Sequence, residues 1–100
     1  MTLEESLKAQ IAEHKVLIYM KGTPDEPRCG FSAQAVSVLK AMGQPFAFVD
    51  ILAEPEVRAT LPQVSNWPTF PQIFIKGELI GGCDIILSLY ESGELKELLS

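Results

Sequence analysis

Cysteine is scarce in this sequence: two in 100 residues, Cys29 and Cys83. That is too few for a disulfide scaffold of the kind that staples small secreted domains, and it suits a reducing compartment where a thiol is kept for its reactivity. Positive charge is also short, with eight Lys and Arg against thirteen Asp and Glu, a net charge of −5 and a sequence pI of about 4.7. A broad electrostatic footprint for nucleic acid or an anionic membrane is therefore missing, and neither is expected as a primary ligand. No apolar run approaches the roughly 20 residues a membrane span requires. The opening "MTLEESLKAQ" lacks the basic and apolar segments of a secretory signal, so the expectation is a cytoplasmic protein, or an organellar one whose targeting peptide has been removed.

What is present is apolar residue in quantity, 47% of the chain, enough for one domain spanning 1–100 with a single core. No repeat, linker or low-complexity segment interrupts it. Thr2 and Glu5 form a capping box before Leu3, Leu7 and Ile11, so a helix is expected to about His14. "VLIYM" (16–20) reads as a strand covered on both faces. Phe31, Ala35, Val38, Leu39 and Met42 recur at helical spacing up to Gly43, placing a second helix directly after Cys29. "FAFVDI" (46–51) is another strand, and the resulting βαβ unit makes the two strands parallel with a right-handed crossover. Pro55 fits the first turn of a short third helix towards Leu61. "QIFIKGELIGG" gives an antiparallel hairpin about Lys76-Gly77, and helical patterns around Ile86, Leu89 and Tyr90, then Leu95, Leu98 and Leu99, finish the chain. The expected fold class is α/β, a mixed four-stranded sheet flanked by helices.

In that frame Cys29 opens a helix, where free backbone N–H groups and the positive end of the helix dipole favour thiolate over thiol. Lys21 and Arg28 flank it with positive charge, the surroundings of a reactive cysteine rather than of a small buried hydrophobe. Ser32 stands where a C-x-x-C dithiol would carry its second sulfur. A hydroxyl cannot attack a mixed disulfide, so the dithiol cycle is closed to this chain, and Ser32 is expected to act as a first-turn residue with local hydrogen bonds. Pro71 directly precedes a strand. Spacing alone leaves a cis bond there a minority outcome, about one X-Pro bond in twenty.

Taken together, "KGTPDEPRCGFS" (21–32) and "NWPTFPQIFIKGELIGGCD" (66–84), with the element order between them, resemble the monothiol glutaredoxins of the CGFS type over essentially the whole chain. The resemblance implies a thioredoxin-like fold in which Pro71 is cis and faces the Cys29 thiol. It implies glutathione as ligand, with Lys21 and Arg58 at its glycine carboxylate, the Phe70 backbone pairing with it beside Pro71, and Cys83 and Asp84 after Gly81-Gly82 at its γ-glutamyl end. Physical chemistry supports part of this, since a helix N-terminus binds carboxylates and an Asp accepts from an ammonium. Singly, however, Arg58 reads as a solvated helix cation, Asp84 as a cap and the glycines as a strand end. The resemblance also implies a 2Fe-2S cluster ligated by Cys29. Such clusters take four ligands, and two chains each giving Cys29 and one glutathione sulfur make four, hence a cluster-bridged homodimer. Cys83 is expected as a helix-start residue touching glutathione, able to form a disulfide with Cys29 when the apo-protein is oxidised. The loop from Lys21 to Cys29 is longer than in dithiol relatives and able to alter how glutathione and a second subunit meet.

Trp67 and Pro68 belong to the same family pattern; the tryptophan is either an exposed partner anchor or packed on its own loop. His14 reads as a helix-end residue, while BolA-like partners of the family can supply a histidine ligand from outside. The functional expectation is an iron-sulfur carrier that passes its cluster to apo iron-sulfur proteins or a BolA-like partner. The alternative is a glutathione-dependent oxidoreductase in which Cys29 attacks a glutathionylated substrate.

Overall fold

Thr2 begins the first helix as its side chain allows. In the computed structural model, which describes residues 2–100, its hydroxyl accepts the Glu5 backbone N–H at 3.1 Å while the Glu5 carboxylate accepts the Thr2 N–H at 3.3 Å. This reciprocal pair starts α1 (Leu3–Glu13), which buries Leu7 and Ile11. The chain continues as β1 (Val16–Met20), α2 (Gly30–Ala41), β2 (Ala47–Asp50), α3 (Pro55–Ser65), β3 (Gln72–Ile75), β4 (Glu78–Gly81), α4 (Cys83–Ser92) and α5 (Glu94–Leu99).

All five residues of β1 are buried, because it is an interior strand with helices over both faces. The sheet order is β2-β1-β3-β4, with β1 parallel to β2 and antiparallel to β3, and β3 antiparallel to β4. Period-two alternation sends Val16, Ile18 and Met20 with Ile73 and Ile75 into one core against α2, α4 and α5. Leu17, Tyr19 and Phe74 go to the other face, against Leu7 and Ile11 of α1 and Val57 and Leu61 of α3. The single core expected from composition is thus divided by the sheet into two layers. Tyr19 and Phe74 meet edge to face with ring centroids 5.7 Å apart, and the buried Tyr19 hydroxyl donates to Gln10 Oε1 at 2.6 Å.

Two boundaries differ from those the sequence suggests. α3 passes through Pro62 and runs on to Ser65. A proline removes one intrahelical donor and crowds the carbonyl four residues back; here Asn66, in the left-handed conformation, then ends the helix, and the Trp67 N–H caps the Pro62 carbonyl at 3.3 Å. β2 is shorter than "FAFVDI" and only partly buried, since it is an edge strand with one neighbour. The β3–β4 turn is as expected: Lys76 and Gly77 have φ of 53° and 83°, both positive, as a two-residue hairpin loop with the native twist requires.

Candidate functional site

Met20 ends β1, and the next residues fold into a small clamp that fixes where Cys29 sits. The Arg28 N–H donates to the Lys21 carbonyl at 2.9 Å, Gly22 and Pro27 form an isolated bridge, and the Gly22 N–H donates to Asp50 Oδ1 at 2.9 Å. Gly22 is required there: its φ is +93°, and a Cβ would lie 2.5 Å from the Glu26 carbonyl oxygen. Cys29 follows as the N-cap of α2, in ordinary extended backbone. Burial pulls its thiol up more than any other single influence, but the Ser32 backbone N–H and hydroxyl, the Phe31 N–H and the Lys21 charge together outweigh it and set the thiol below an ordinary cysteine.

Two expectations about this region change in detail. Arg28 flanks Cys29 in sequence yet turns outward to Glu26, 3.4 Å away, and the cation acting on the thiol is Lys21. Ser32 does more than occupy a first turn. It is fully buried, its Oγ accepts the Lys21 N–H at 3.1 Å, and its hydroxyl helps to lower the Cys29 thiol.

Lys21, Arg58, Phe70, Pro71, Cys83 and Asp84, singled out in the sequence, all line one groove of about 670 Å³. They arrive from different elements: the end of β1, the exposed face of α3, the segment before β3 and the start of α4. The Phe70-Pro71 bond is cis, and the Pro71 carbonyl faces Gly82, where a Cβ would come to 3.3 Å. Cys29 does not itself line the groove; it stands near two residues that do, for the Lys21 charge lowers the Cys29 thiol and the Cys29 charge raises that of Cys83. Lys21, Arg58 and Asp84 belong to no ion pair among the described residues, where Arg28 with Glu26 is the one pair formed. The groove therefore presents two cations and one carboxylate free to meet a ligand carrying the opposite charges.

Cys83 is the first residue of α4, and it behaves unlike Cys29. Its thiol is buried and donates to Gln34 Oε1, 3.1 Å away on α2. Burial, then the charges of Asp84 and Cys29, push it above an ordinary thiol. Both cysteines are free.

Trp67 is half-buried, lines the groove beside Gly82, and its Nε1 is buried with no hydrogen-bond partner among the described residues. His14 caps the end of α1 and does not line the groove. Sequence reasoning missed Gln34, and it missed Gln72, which is fully buried and donates through Nε2 to the Trp67 carbonyl at 2.9 Å, tying the Trp67–Pro71 segment to β3. A polar residue inside an otherwise apolar strand run, "PQIFI", is the signal that marks Gln72. Phe31 is also exposed, at 63%, on the rim of the groove.

Known proteins match this arrangement. The family model described as Glutaredoxin covers residues 16–80. Glutaredoxin 4 of Escherichia coli strain K12 is 56% identical over 98 residues, which span 98% of this chain and 85% of that protein. Among solved structures, a monomeric truncated mutant of Trypanosoma brucei 1-C-Grx1 superposes with a TM-score of 0.88 at 39% identity, covering 99% of this chain and 90% of that one. Reduced poplar apo GrxS14 gives 0.81 at 48% identity, covering 96% and 88%. The thioredoxin-like sheet, the lone thiol of Cys29-Gly30-Phe31-Ser32 at the head of α2 and these likenesses together establish that the chain belongs to the glutaredoxin family, among its monothiol members.

Proposed function

We propose that the groove binds glutathione and that Cys29, together with the sulfur of bound glutathione, ligates a 2Fe-2S cluster shared between two copies of the chain. The observation that carries this reading is one lowered thiol near a groove whose two cations have no ion-pair partner among the described residues. Lys21 and Arg58 would take up the glycine carboxylate, the Phe70 backbone would pair with the peptide-like middle of the ligand, and Cys83 and Asp84 at the head of α4 would hold the γ-glutamyl end. Membership of the family supports the use of glutathione.

The donor chemistry also fits. Iron-sulfur clusters take thiolate ligands, four for the 2Fe-2S type. One chain offers a single sulfur inclined to ionise, since Cys83 is buried and holds its proton on Gln34. Two chains and two glutathiones supply four, so the loaded form is a bridged homodimer. In this reading the cluster is cargo, received and then passed to apo iron-sulfur proteins or to a BolA-like partner, which can offer a histidine in exchange. Cytoplasm or an organelle would both suit such a carrier. The test is reconstitution without oxygen, using iron, sulfide and glutathione: visible absorbance and bound iron are expected for the native chain, and their absence in well-folded native protein would overturn the proposal.

A second reading draws on the same lowered thiol. Cys29 as thiolate attacks the disulfide of a glutathionylated substrate, the substrate sulfur leaves with the electron pair, and free glutathione releases Cys29 from the mixed disulfide. Ser32 offers no second sulfur, so this turnover depends on glutathione at both steps. Measured release of glutathione from a glutathionylated peptide, lost in Cys29→Ser, distinguishes it from cluster carriage.

A further inference from the structure

The two cysteines share a setting, each at the head of a helix packed on the same face of the sheet, and yet one is set to ionise and the other is not. Helix-start placement would by itself favour thiolate at both. Burial and the charges of Asp84 and Cys29 raise Cys83, and the side chain each sulfur meets sets the two further apart. Ser32 lowers Cys29 through its hydroxyl and backbone N–H, whereas Cys83 meets an amide oxygen, Gln34 Oε1, to which its S–H must donate. Gln34 comes from α2, 49 residues away in sequence, and is otherwise exposed. It lines neither groove wall, so nothing in ligand binding or core packing accounts for it.

We infer that Gln34 is a positioning residue that holds Cys83 as a protonated, unreactive thiol and so keeps Cys29 acting as a single thiol. The reaction it restrains is exchange. In a Cys29–glutathione mixed disulfide, a step that rests on the glutathione reading above, Cys83 loses its proton to solvent and its thiolate attacks the Cys29 sulfur. A Cys29–Cys83 bond forms, the Cys29–glutathione bond breaks, and the electron pair leaves on the glutathione sulfur. A thiolate facing the Gln34 oxygen loses its hydrogen bond and is repelled by the carbonyl dipole, so the amide opposes the ionised form that the exchange needs.

The experiment has two arms. In a Cys29→Ser background, with no mixed disulfide involved, the pH midpoint for iodoacetamide alkylation of Cys83 is measured for Gln34, Gln34→Ala and Gln34→Glu. Alanine removes the acceptor and lowers the midpoint; glutamate keeps an acceptor, adds charge and leaves it at or above the native value. In the second arm, chains carrying both cysteines receive glutathione disulfide, and thiol trapping with mass spectrometry follows the Cys29–Cys83 disulfide. It forms about two- to tenfold faster in Gln34→Ala, the range expected from one modest hydrogen bond, and no faster in Gln34→Glu. Circular dichroism establishes that each variant is folded. A midpoint that is unchanged or rises in Gln34→Ala overturns the inference, because that result would mean the amide merely covers the sulfur or donates to its thiolate. Absence of any mixed disulfide at Cys29 in every variant would instead count against the glutathione reading, leaving the alkylation arm to decide the role of Gln34.

Discussion

Ser32 Oγ accepts the backbone N–H of Lys21 at 3.1 Å inside the protein, with Ser32 wholly shielded from solvent. One hydroxyl thus joins the end of β1 to the first turn of α2 and also helps to lower the Cys29 thiol. The residue that takes the place of a second sulfur has become part of how the first one is held.

Ser32→Ala is therefore expected to act twice. It leaves the Lys21 N–H without its partner, which should lower unfolding free energy by about 1–3 kcal/mol, read by urea denaturation. It also removes a donor from the thiolate, so the alkylation midpoint of Cys29 should rise. Unchanged stability with an unchanged midpoint would show that the hydroxyl is incidental.

The two thiols make opposite contributions to stability against pH. Cys29, lowered in the fold, favours the native state in full above the unfolded thiol value of about 8.5, and that contribution is lost as pH falls through its folded value. Cys83, raised in the fold, favours the native state below the unfolded value, and its contribution fades as pH rises through the folded one. Urea midpoints measured from neutral to alkaline pH should show the native chain gaining on Cys29→Ser as pH rises and losing ground relative to Cys83→Ser. Parallel curves for all three chains would mean that neither thiol is shifted.

Lys21 and Arg58 have no carboxylate of their own among the described residues, and each charge-assisted contact to a ligand carboxylate is worth about 1.5–3 kcal/mol. Lys21→Ala or Arg58→Ala should weaken glutathione binding about tenfold or more by calorimetry while leaving the fold intact. Equal affinity for both variants and the native chain would move the carboxylate site elsewhere.

Gly82 has φ −102°, open to any residue, but a Cβ there would come within 3.3 Å of the Pro71 oxygen and 3.7 Å of Trp67 Nε1. Gly82→Val is expected to fold and to lose glutathione affinity by crowding the groove floor between Pro71 and α4. If instead affinity held in a folded variant, Gly82 would be a connector with no part in the site.

Much of this was legible before any coordinates, and the exceptions share a cause. The Thr2–Glu5 cap, the buried "VLIYM" strand and the Lys76-Gly77 turn are local, written in neighbouring residues. The groove residues Lys21, Arg58, Phe70, Pro71, Cys83 and Asp84 are far apart in the chain; the family resemblance supplied them, Arg58 from outside the two stretches 21–32 and 66–84 that carry it, and the parallel β1–β2 pair and the antiparallel β3 bring them together. Gln34 and Gln72 stayed hidden because their roles are single hydrogen bonds to partners that only the fold supplies. Arg28 misled for the same reason: adjacency in sequence put a cation next to Cys29, while in the fold its exposed side chain pairs with Glu26. α3 crossed Pro62 because tertiary burial of Val57 and Leu61 outweighed one lost intrahelical bond.

The central claim, that one thiol per chain and a borrowed glutathione sulfur together hold the cluster, is tested most directly by size-resolved visible absorbance after reconstitution without oxygen, with and without glutathione. The account predicts absorbance that travels with a dimer in the native chain and in Cys83→Ser, and that vanishes when glutathione is omitted or Cys29 is replaced by serine. Full absorbance without glutathione, or colourless but folded Cys83→Ser protein, would contradict it and make Cys83 a ligand.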